Sequence, residues 1–185
     1  PRLDALLNAY VAAGEEEEAE ATEAPPVVPE TPPQSIGPYR ILDRIGDGGF
    51  GAVYMAEQAH PIHRRVALKL IRADTSSAHV LARFETERQA LAIMDHPNVA
   101  TVYDAGETDA GQPFIVMEYV RGVDLYDLLD RADGLPTEGS TIVALQVARA
   151  LNHAHFRGII PRDIKPANIM LSHQGEVKLM DFGIA

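Results

Sequence analysis

A glycine-rich hexapeptide in the first third of the chain has the residue types needed to bind phosphate. Its spacing is G-x-G-x-x-G, read from Gly46-Asp47-Gly48-Gly49-Phe50-Gly51. Because glycine has no Cβ, backbone N–H groups in such a segment can approach phosphate oxygens closely. The residues that follow, Ala52 to Ala56, read as a strand and not as the helix that a dinucleotide-binding fold requires there. The pattern therefore predicts a hairpin lid over phosphates; taken alone, it would fit an ordinary glycine-rich turn equally well.

A lysine in a later predicted strand adds a positive charge. Period-two alternation in Val66-Ala67-Leu68-Lys69 places Val66 and Leu68 on one face and Ala67 with Lys69 on the other. The small residue leaves room for a flat base, and the ammonium group offers a point charge for phosphate. By itself, Lys69 could instead be a solvent-facing lysine on an open sheet.

A glutamate in an apolar helical stripe is the expected partner of this lysine. The helix predicted over about Ala78 to Met94 has its apolar residues on one stripe, formed by Val80, Phe84, Leu91 and Met94. Glu87 falls on the same stripe, and a partly buried carboxylate is costly unless it is paired. We therefore expect an ion pair between Lys69 and Glu87, with Arg83 or Arg88 as alternative partners at the helix surface.

Short β-type runs must carry these residues. They are Tyr39 to Ile45, Ala52 to Ala56, Val66 to Ile71, Val99 to Ala105 and Phe114 to Tyr119. Only the helix just described interrupts them, so there is no alternating βαβ series. Beyond Gly122 the pattern predicts a short helix over Asp124 to Arg131 and a longer one over Thr137 to Phe156. The predicted fold class is α+β, with a small antiparallel β lobe carrying one helix, joined to a helical lobe.

Composition narrows the functional classes. The formal net charge is −11, which disfavours a nucleic-acid partner. Much of it lies in residues 1–38, which hold eight acids, one base and many prolines, and are predicted to be a largely disordered leader. No apolar run approaches the roughly 20 residues of a membrane span. The chain has no cysteine, which favours a reducing, cytoplasmic location, although a longer parent protein could be anchored elsewhere.

Two acidic motifs in the last part of the chain make the pattern specific. Pro161-Arg162-Asp163-Ile164-Lys165-Pro166-Ala167-Asn168 is followed by Asp181-Phe182-Gly183. With the glycine loop and the strand lysine in this order, the segment 39–185 resembles the eukaryotic-like (Hanks-type) serine/threonine protein kinases, and a bacterial member of that family is expected. The resemblance implies a two-lobe fold, with 39–120 as small lobe and hinge and 121–185 as the start of a large lobe.

The resemblance also implies roles for the acidic motifs. Asp163 would be the catalytic base for a serine or threonine hydroxyl of a protein substrate. Lys165 would stabilise the transferring phosphoryl group, and its position marks the serine/threonine branch. Asn168 and Asp181 would hold Mg²⁺ against the β- and γ-phosphates of ATP.

The nucleotide would be held by the first lobe. By resemblance, Lys69 paired to Glu87 binds the phosphates, Met117 is the gate residue, and backbone groups of Glu118 and Val120 contact adenine. The full set of expected nucleotide contacts is Ile45, Gly46, Asp47, Gly48, Gly49, Phe50, Gly51, Ala52, Val53, Ala67, Lys69, Glu87, Met117, Glu118 and Val120.

The sequence departs from the family pattern at one position of the catalytic motif. Pro161 stands where the family has a histidine that braces the Asp-Phe-Gly segment, and this leaves a nucleotide-gated pseudokinase module as the alternative function. A small-molecule phosphotransferase fits the Lys165-Pro166 pair poorly. Both ends of the chain look cut, so the large lobe is expected to be incomplete after Asp181-Phe182-Gly183, and the 185-residue segment alone is expected to be inactive.

Overall fold

The computed structural model of the protein describes residues 33–48, 51–71, 94–131 and 134–180. These residues divide between two compact units. The described residues of the first unit are 33–48, 51–71, 94–95 and 101–119. Those of the second unit are 96–100, 120–131 and 134–180. The predicted helix over about 78–94 lies almost entirely outside the described residues.

The first unit is built on an antiparallel sheet of six strands. They are β1 Ser35–Ile36, β2 Tyr39–Gly48, β3 Gly51–Gln58, β4 Arg64–Ile71, β5 Val102–Glu107 and β6 Pro113–Glu118. Their order across the sheet is β1-β2-β3-β4-β6-β5, and every neighbouring pair is antiparallel. The five predicted strands are all present, which confirms the small antiparallel lobe.

One face of this sheet carries its apolar core. Tyr54, Val66, Leu68 and Val116 are at most 7% exposed and belong to one cluster, as the alternation of these strands predicts. Tyr39 closes the cluster: its ring meets that of Phe114 edge-on at 6.2 Å, and its hydroxyl donates to Asp104 Oδ2 at 2.7 Å. Burial, reinforced by this hydrogen bond, raises the pKa of the Tyr39 phenol far above its ordinary value.

Two boundaries differ from the predicted ones. Ile36, assigned to the leader from composition, is 4% exposed and packs in the core cluster, so the sheet begins before Tyr39. Strand β5 begins at Val102 and not at Val99, because Val99 forms an isolated bridge with Leu179 in the second unit. In both cases a contact with a distant segment decides the conformation of a residue whose local pattern is ambiguous.

The second unit combines two helices with a small sheet. Its elements are β7 Gly122–Asp124, α1 Leu125–Arg131, α2 Thr137–Phe156, a 3₁₀ turn Pro166–Asn168, β8 Ile169–Ser172 and β9 Val177–Leu179. The strands pair antiparallel in the order β7-β8-β9. Both predicted helices are confirmed, whereas the three short strands were not predicted.

Local chemistry explains where these helices form. Asp124 Oδ1 accepts the N–H of Asp127 at 2.8 Å and so caps the start of α1. Helix α2 buries one side through Val143, Ala150 and Ala154, which are spaced to share a face. Within the described residues, no helix is long and apolar enough to cross a membrane.

Candidate active site

Strand register places the predicted base-binding residues on one face of the first sheet. Lys69 pairs directly with Val53 on β3 and with Ile115 on β6, while Ala67 pairs with Met117. Directly paired residues project to the same side of an antiparallel sheet. The half-buried Lys69 therefore shares an apolar surface with Val53, Ala67 and Met117, on the side opposite the core cluster. Such a surface suits the flat base of a nucleotide whose phosphates extend towards the Lys69 ammonium group.

Two residues expected to contact nucleotide, Ala52 and Ile45, differ from the others in their pairing. Ala52 pairs with Leu70 and packs against the core cluster, so it faces away from Val53. Ile45 lies at a shift in the pairing of β2 and β3, and is 45% exposed. The alternation of β3 explains the first result, because neighbours in a strand point to opposite faces.

The glycines of the loop serve different physical needs. A Cβ on Gly51 would lie 1.9 Å from the carbonyl oxygen of Leu70, and its φ of +149° lies in a range that favours glycine. Packing of β3 against β4 therefore requires this glycine. Among the described residues, a Cβ on Gly46 would meet only the side chain of Val53, whose Cβ and Cγ2 would lie at ordinary distances of 3.6 and 3.9 Å. The predicted contact of Gly46 with a nucleotide stays a prediction.

The two arms of the predicted hairpin lid are confirmed as paired strands. Pairing continues to Asp47 with Ala52 and to Gly48 with Gly51. Asp47 also forms an exposed ion pair with Arg44 at 2.5 Å. The tip residues Gly49 and Phe50 lie outside the described residues.

The residues predicted to form the hinge lie at the end of β6 and just after it. The N–H of Glu118 donates to the carbonyl of Thr101 at 2.8 Å, and the N–H of Thr101 donates to Glu118 Oε2 at 3.2 Å. The backbone N–H of Glu118 is thus engaged within the sheet, so any contact of this residue with a base would use its carbonyl oxygen. Val120, which is 7% exposed, belongs to the second unit.

In the second unit, three predicted catalytic residues form one hydrogen-bonded cluster. Lys165 Nζ lies 2.7 Å from Asp163 Oδ2. Asn168 Nδ2 donates to the same oxygen at 3.1 Å and to the Asp163 carbonyl at 2.8 Å. The side chains of Asp163 and Lys165 are 37% and 50% exposed, so both are accessible to solvent. Two donors on one carboxylate oxygen fix the rotation of the carboxyl group.

The local sequence explains how the cluster forms. A residue before proline is restricted to extended backbone, and Lys165, before Pro166, has φ −148° and ψ 159°. The chain then makes one 3₁₀ turn, closed by the Asn168 N–H donating to the Lys165 carbonyl at 2.9 Å. This turn brings the amide of Asn168 back to Asp163.

The donor set of this cluster fits a hard divalent cation. Both contacts of the Asn168 amide to Asp163 are made by Nδ2, which sets the orientation of the amide and directs its Oδ1 elsewhere. An amide oxygen beside a carboxylate is the chemistry that Mg²⁺ prefers. The second expected ligand, Asp181, lies outside the described residues.

The predicted ion pair of Lys69 with Glu87 stays a prediction, because Glu87 also lies outside the described residues.

Pro161 is half-buried and follows Ile160, which is 73% exposed. One contact to the cluster was not predicted from its motif: the Met180 N–H donates to the carbonyl of Asn168 at 2.9 Å. It joins the end of β9 to the cluster, and no short motif in the sequence signals it.

A curled antiparallel sheet bearing a lysine, followed by an Asp-Lys-Asn turn and a pair of short strands, is the organisation of the protein kinase fold. The family model described as "Protein kinase domain" matches residues 39–185, and the chain belongs to the protein kinase family.

Curated relatives are bacterial serine/threonine-protein kinases. PknB of Mycobacterium leprae is 43% identical over 159 residues, which are 84% of this chain and 25% of the relative. PrkC of Bacillus subtilis is 41% identical over 150 residues, 80% of this chain and 23% of the relative. The chain thus spans about a quarter of the length of these relatives.

Solved structures agree with these relatives. The crystal structure of the Mycobacterium tuberculosis PknI kinase domain is 34% identical, with a TM-score of 0.72, covering 82% of this chain and 60% of that one. The two-lobe fold class and the bacterial Hanks-type resemblance inferred from the motifs are thereby confirmed.

Proposed function

We propose that the protein transfers the γ-phosphoryl group of ATP to serine or threonine hydroxyls of protein substrates. The observation that carries this proposal is the cluster of Asp163, Lys165 and Asn168, which is formed by direct hydrogen bonds in the second unit. A carboxylate, a cation and an amide held together and still exposed are suited to accepting a proton beside a transferring phosphoryl group.

In the proposed reaction the substrate hydroxyl gives its proton to the Asp163 carboxylate. The hydroxyl oxygen forms a bond to the γ-phosphorus, the bond from that phosphorus to the β-γ bridging oxygen breaks, and ADP leaves. Lys165 lies beside the carboxylate and supplies positive charge where negative charge is spread over the transferring group. The protein contributes mainly orientation and electrostatics, since phosphoryl transfer needs no covalent intermediate with the enzyme.

Groups in each unit would have a part in binding Mg²⁺-ATP. The sheet surface of Val53, Ala67 and Met117 would receive adenine, and Lys69 would bind phosphate. Asn168 and Asp181 would hold Mg²⁺, which neutralises charge on the β- and γ-phosphates when bound. We place the reaction in the cytoplasm, where ATP is available.

Pro161 favours a second candidate function. Proline has no N–H to donate and no imidazole with which to brace a neighbouring segment. A nucleotide-gated pseudokinase would bind Mg²⁺-ATP and change partners without transferring phosphate. Against it stands the complete cluster at Asp163, which nucleotide binding alone does not need.

Phosphate transfer by the full-length protein distinguishes these functions. With γ-labelled ATP, Mg²⁺ and a generic protein substrate, we expect labelled phosphoserine or phosphothreonine, and Asp163→Asn should lower the rate by roughly 10²–10⁴-fold while nucleotide affinity persists. Asp109→Asn, the same change at an exposed loop residue, is the matched control. Nucleotide binding without any transfer would instead establish the pseudokinase module. The 185-residue segment alone stays predicted to be inactive.

A further inference from the structure

A buried side-chain amide joins three separated stretches of the second unit. Asn98 is 8% exposed, and its Nδ2 donates to Gln146 Oε1 at 2.6 Å and to the Val177 carbonyl at 2.8 Å. Gln146 Oε1 also accepts the N–H of Val177, at 3.1 Å. Two amide side chains, one before the second unit's helices and one on α2, thus bond both backbone polar groups of Val177 in β9.

Backbone bonds extend the same attachment along β9. The Leu179 N–H donates to the Asn98 carbonyl at 3.0 Å, and the Ala100 N–H donates to the Leu179 carbonyl at 2.9 Å. On its other edge β9 pairs with β8, where Ile169 lies opposite Leu179. A strand of three residues is too short to hold its position alone, so both edges are needed.

The residue after β9 contacts the catalytic cluster directly. Immediately after β9, the Met180 N–H donates to the Asn168 carbonyl at 2.9 Å. Asn168 in turn bonds Asp163 through its side chain. A shift of β9 along its axis would therefore break the contact of Met180 or carry Asn168 away from Asp163.

We infer that Asn98 and Gln146 are positioning residues for phosphoryl transfer, which set the register of β9 and through Met180 the placement of Asn168. The inference rests on the proposed function for its rate effect. Apolar side chains could fill the same space, but they could not bond the N–H and carbonyl of Val177. A one-residue slip of β9 would present different backbone groups to the two amides and leave buried polar groups unpaired.

Isosteric changes in the full-length protein test this role. Asn98→Asp places a carboxylate oxygen against the Val177 carbonyl, and should lower kcat on the order of tenfold to a hundredfold, with nucleotide Kd changed less than about twofold. Gln146→Leu should act in the same direction, whereas Gln146→Glu keeps the acceptor and should restore most of the lost rate. Arg149→Gln, at an exposed position on the same helix, is the matched control. Hydrogen–deuterium exchange should quicken at the Met180 amide.

Each result of these measurements supports or overturns the positioning role. An unchanged kcat in Asn98→Asp, or equal losses in Gln146→Glu and Gln146→Leu that follow the fall in Tm, would overturn the positioning role and leave only a structural one. If the wild-type protein binds nucleotide but transfers no phosphate, the proposed function fails, and hydrogen–deuterium exchange still tests whether the two amides fix the position of β9. Faster exchange confined to β9 and Met180 in the Asn98→Asp and Gln146→Leu variants supports that role. Unchanged protection in these variants refutes it.

Discussion

Replacing Lys165 with methionine distinguishes a structural from a catalytic role of this lysine. A structural role predicts a loss of folding stability, and a catalytic role predicts a loss of kcat. Lys165 Nζ is 2.7 Å from Asp163 Oδ2, but the side chains are 50% and 37% exposed. An ion pair so open to water contributes about 0–1 kcal/mol to folding, and methionine keeps most of the apolar stem. A cation beside charge that develops in the transition state lowers the activation free energy by about 2.7–4 kcal/mol, which is a factor of about 10²–10³ in kcat. We therefore expect Lys165→Met to lose this factor in kcat and almost no folding stability.

The assay combines three measurements on the full-length protein: initial rates with γ-labelled ATP, nucleotide Kd by titration, and Tm. Lys165→Met should lower kcat by about 10²–10³ while Kd changes less than about threefold. Arg40→Met is the control, since it breaks an exposed ion pair with Glu57 in the first unit and should leave kcat unchanged. A rate within about threefold of wild type would show that Lys165 does not touch the transferring group. A fall in stability beyond about 2 kcal/mol would show that the pair is mainly structural.

Three further predictions follow from the geometry. Gly46→Ala should leave Tm nearly unchanged and weaken Mg²⁺-ATP binding by roughly tenfold. Gly51→Ala should instead prevent folding, because its Cβ would overlap the neighbouring strand. Thermal melts and nucleotide titration check both variants, and an unaltered nucleotide affinity in Gly46→Ala would contradict the first prediction. Pro161→His should raise kcat without changing nucleotide Kd, and an unchanged rate would mean that the proline is tolerated. Tyr39→Phe should cost about 1 kcal/mol at neutral pH through the lost hydrogen bond to Asp104. Because the pKa of Tyr39 is raised in the folded state, its stabilisation is complete below the unfolded pKa of about 10 and is lost as pH rises above that value; unfolding of Tyr39→Phe should therefore be less sensitive to alkali, and an identical alkaline profile would contradict this.

Local pattern predicted the first sheet well because its strands obey a two-residue period against a single core. Val66 and Leu68 are buried on one face, and Ala67 and Lys69 lie on the other, as alternation requires. The same rule, applied to β3, would also have excluded Ala52 from the nucleotide surface. Its inclusion came from the contiguous family motif, which does not distinguish the two faces of a strand.

What sequence could not predict depends on contacts between distant residues. Val99 reads as part of a strand, yet its segment lies beside β9 instead of continuing β5. Asn98 and Gln146 are 48 residues apart in the chain and lie outside the motifs described above, although they bond the same residue, Val177. A side-chain amide can bond almost any backbone group within reach, so its partner is set by tertiary structure and not by spacing.

The internal hydrogen bonds of the catalytic cluster, in contrast, come from a short piece of chain. They join residues between 163 and 168, and the extended conformation of Lys165 before Pro166 helps to set their geometry. Only the bond from the Met180 N–H to the Asn168 carbonyl, among those described for the cluster, comes from a distant segment. Pro161 precedes this piece and supplies none of those bonds. The substitution of proline for the family histidine is therefore compatible with a formed cluster, and its effect should fall on the bracing of the segment after β9. For this reason we expect Pro161 to alter the turnover of the proposed kinase and not to abolish its chemistry.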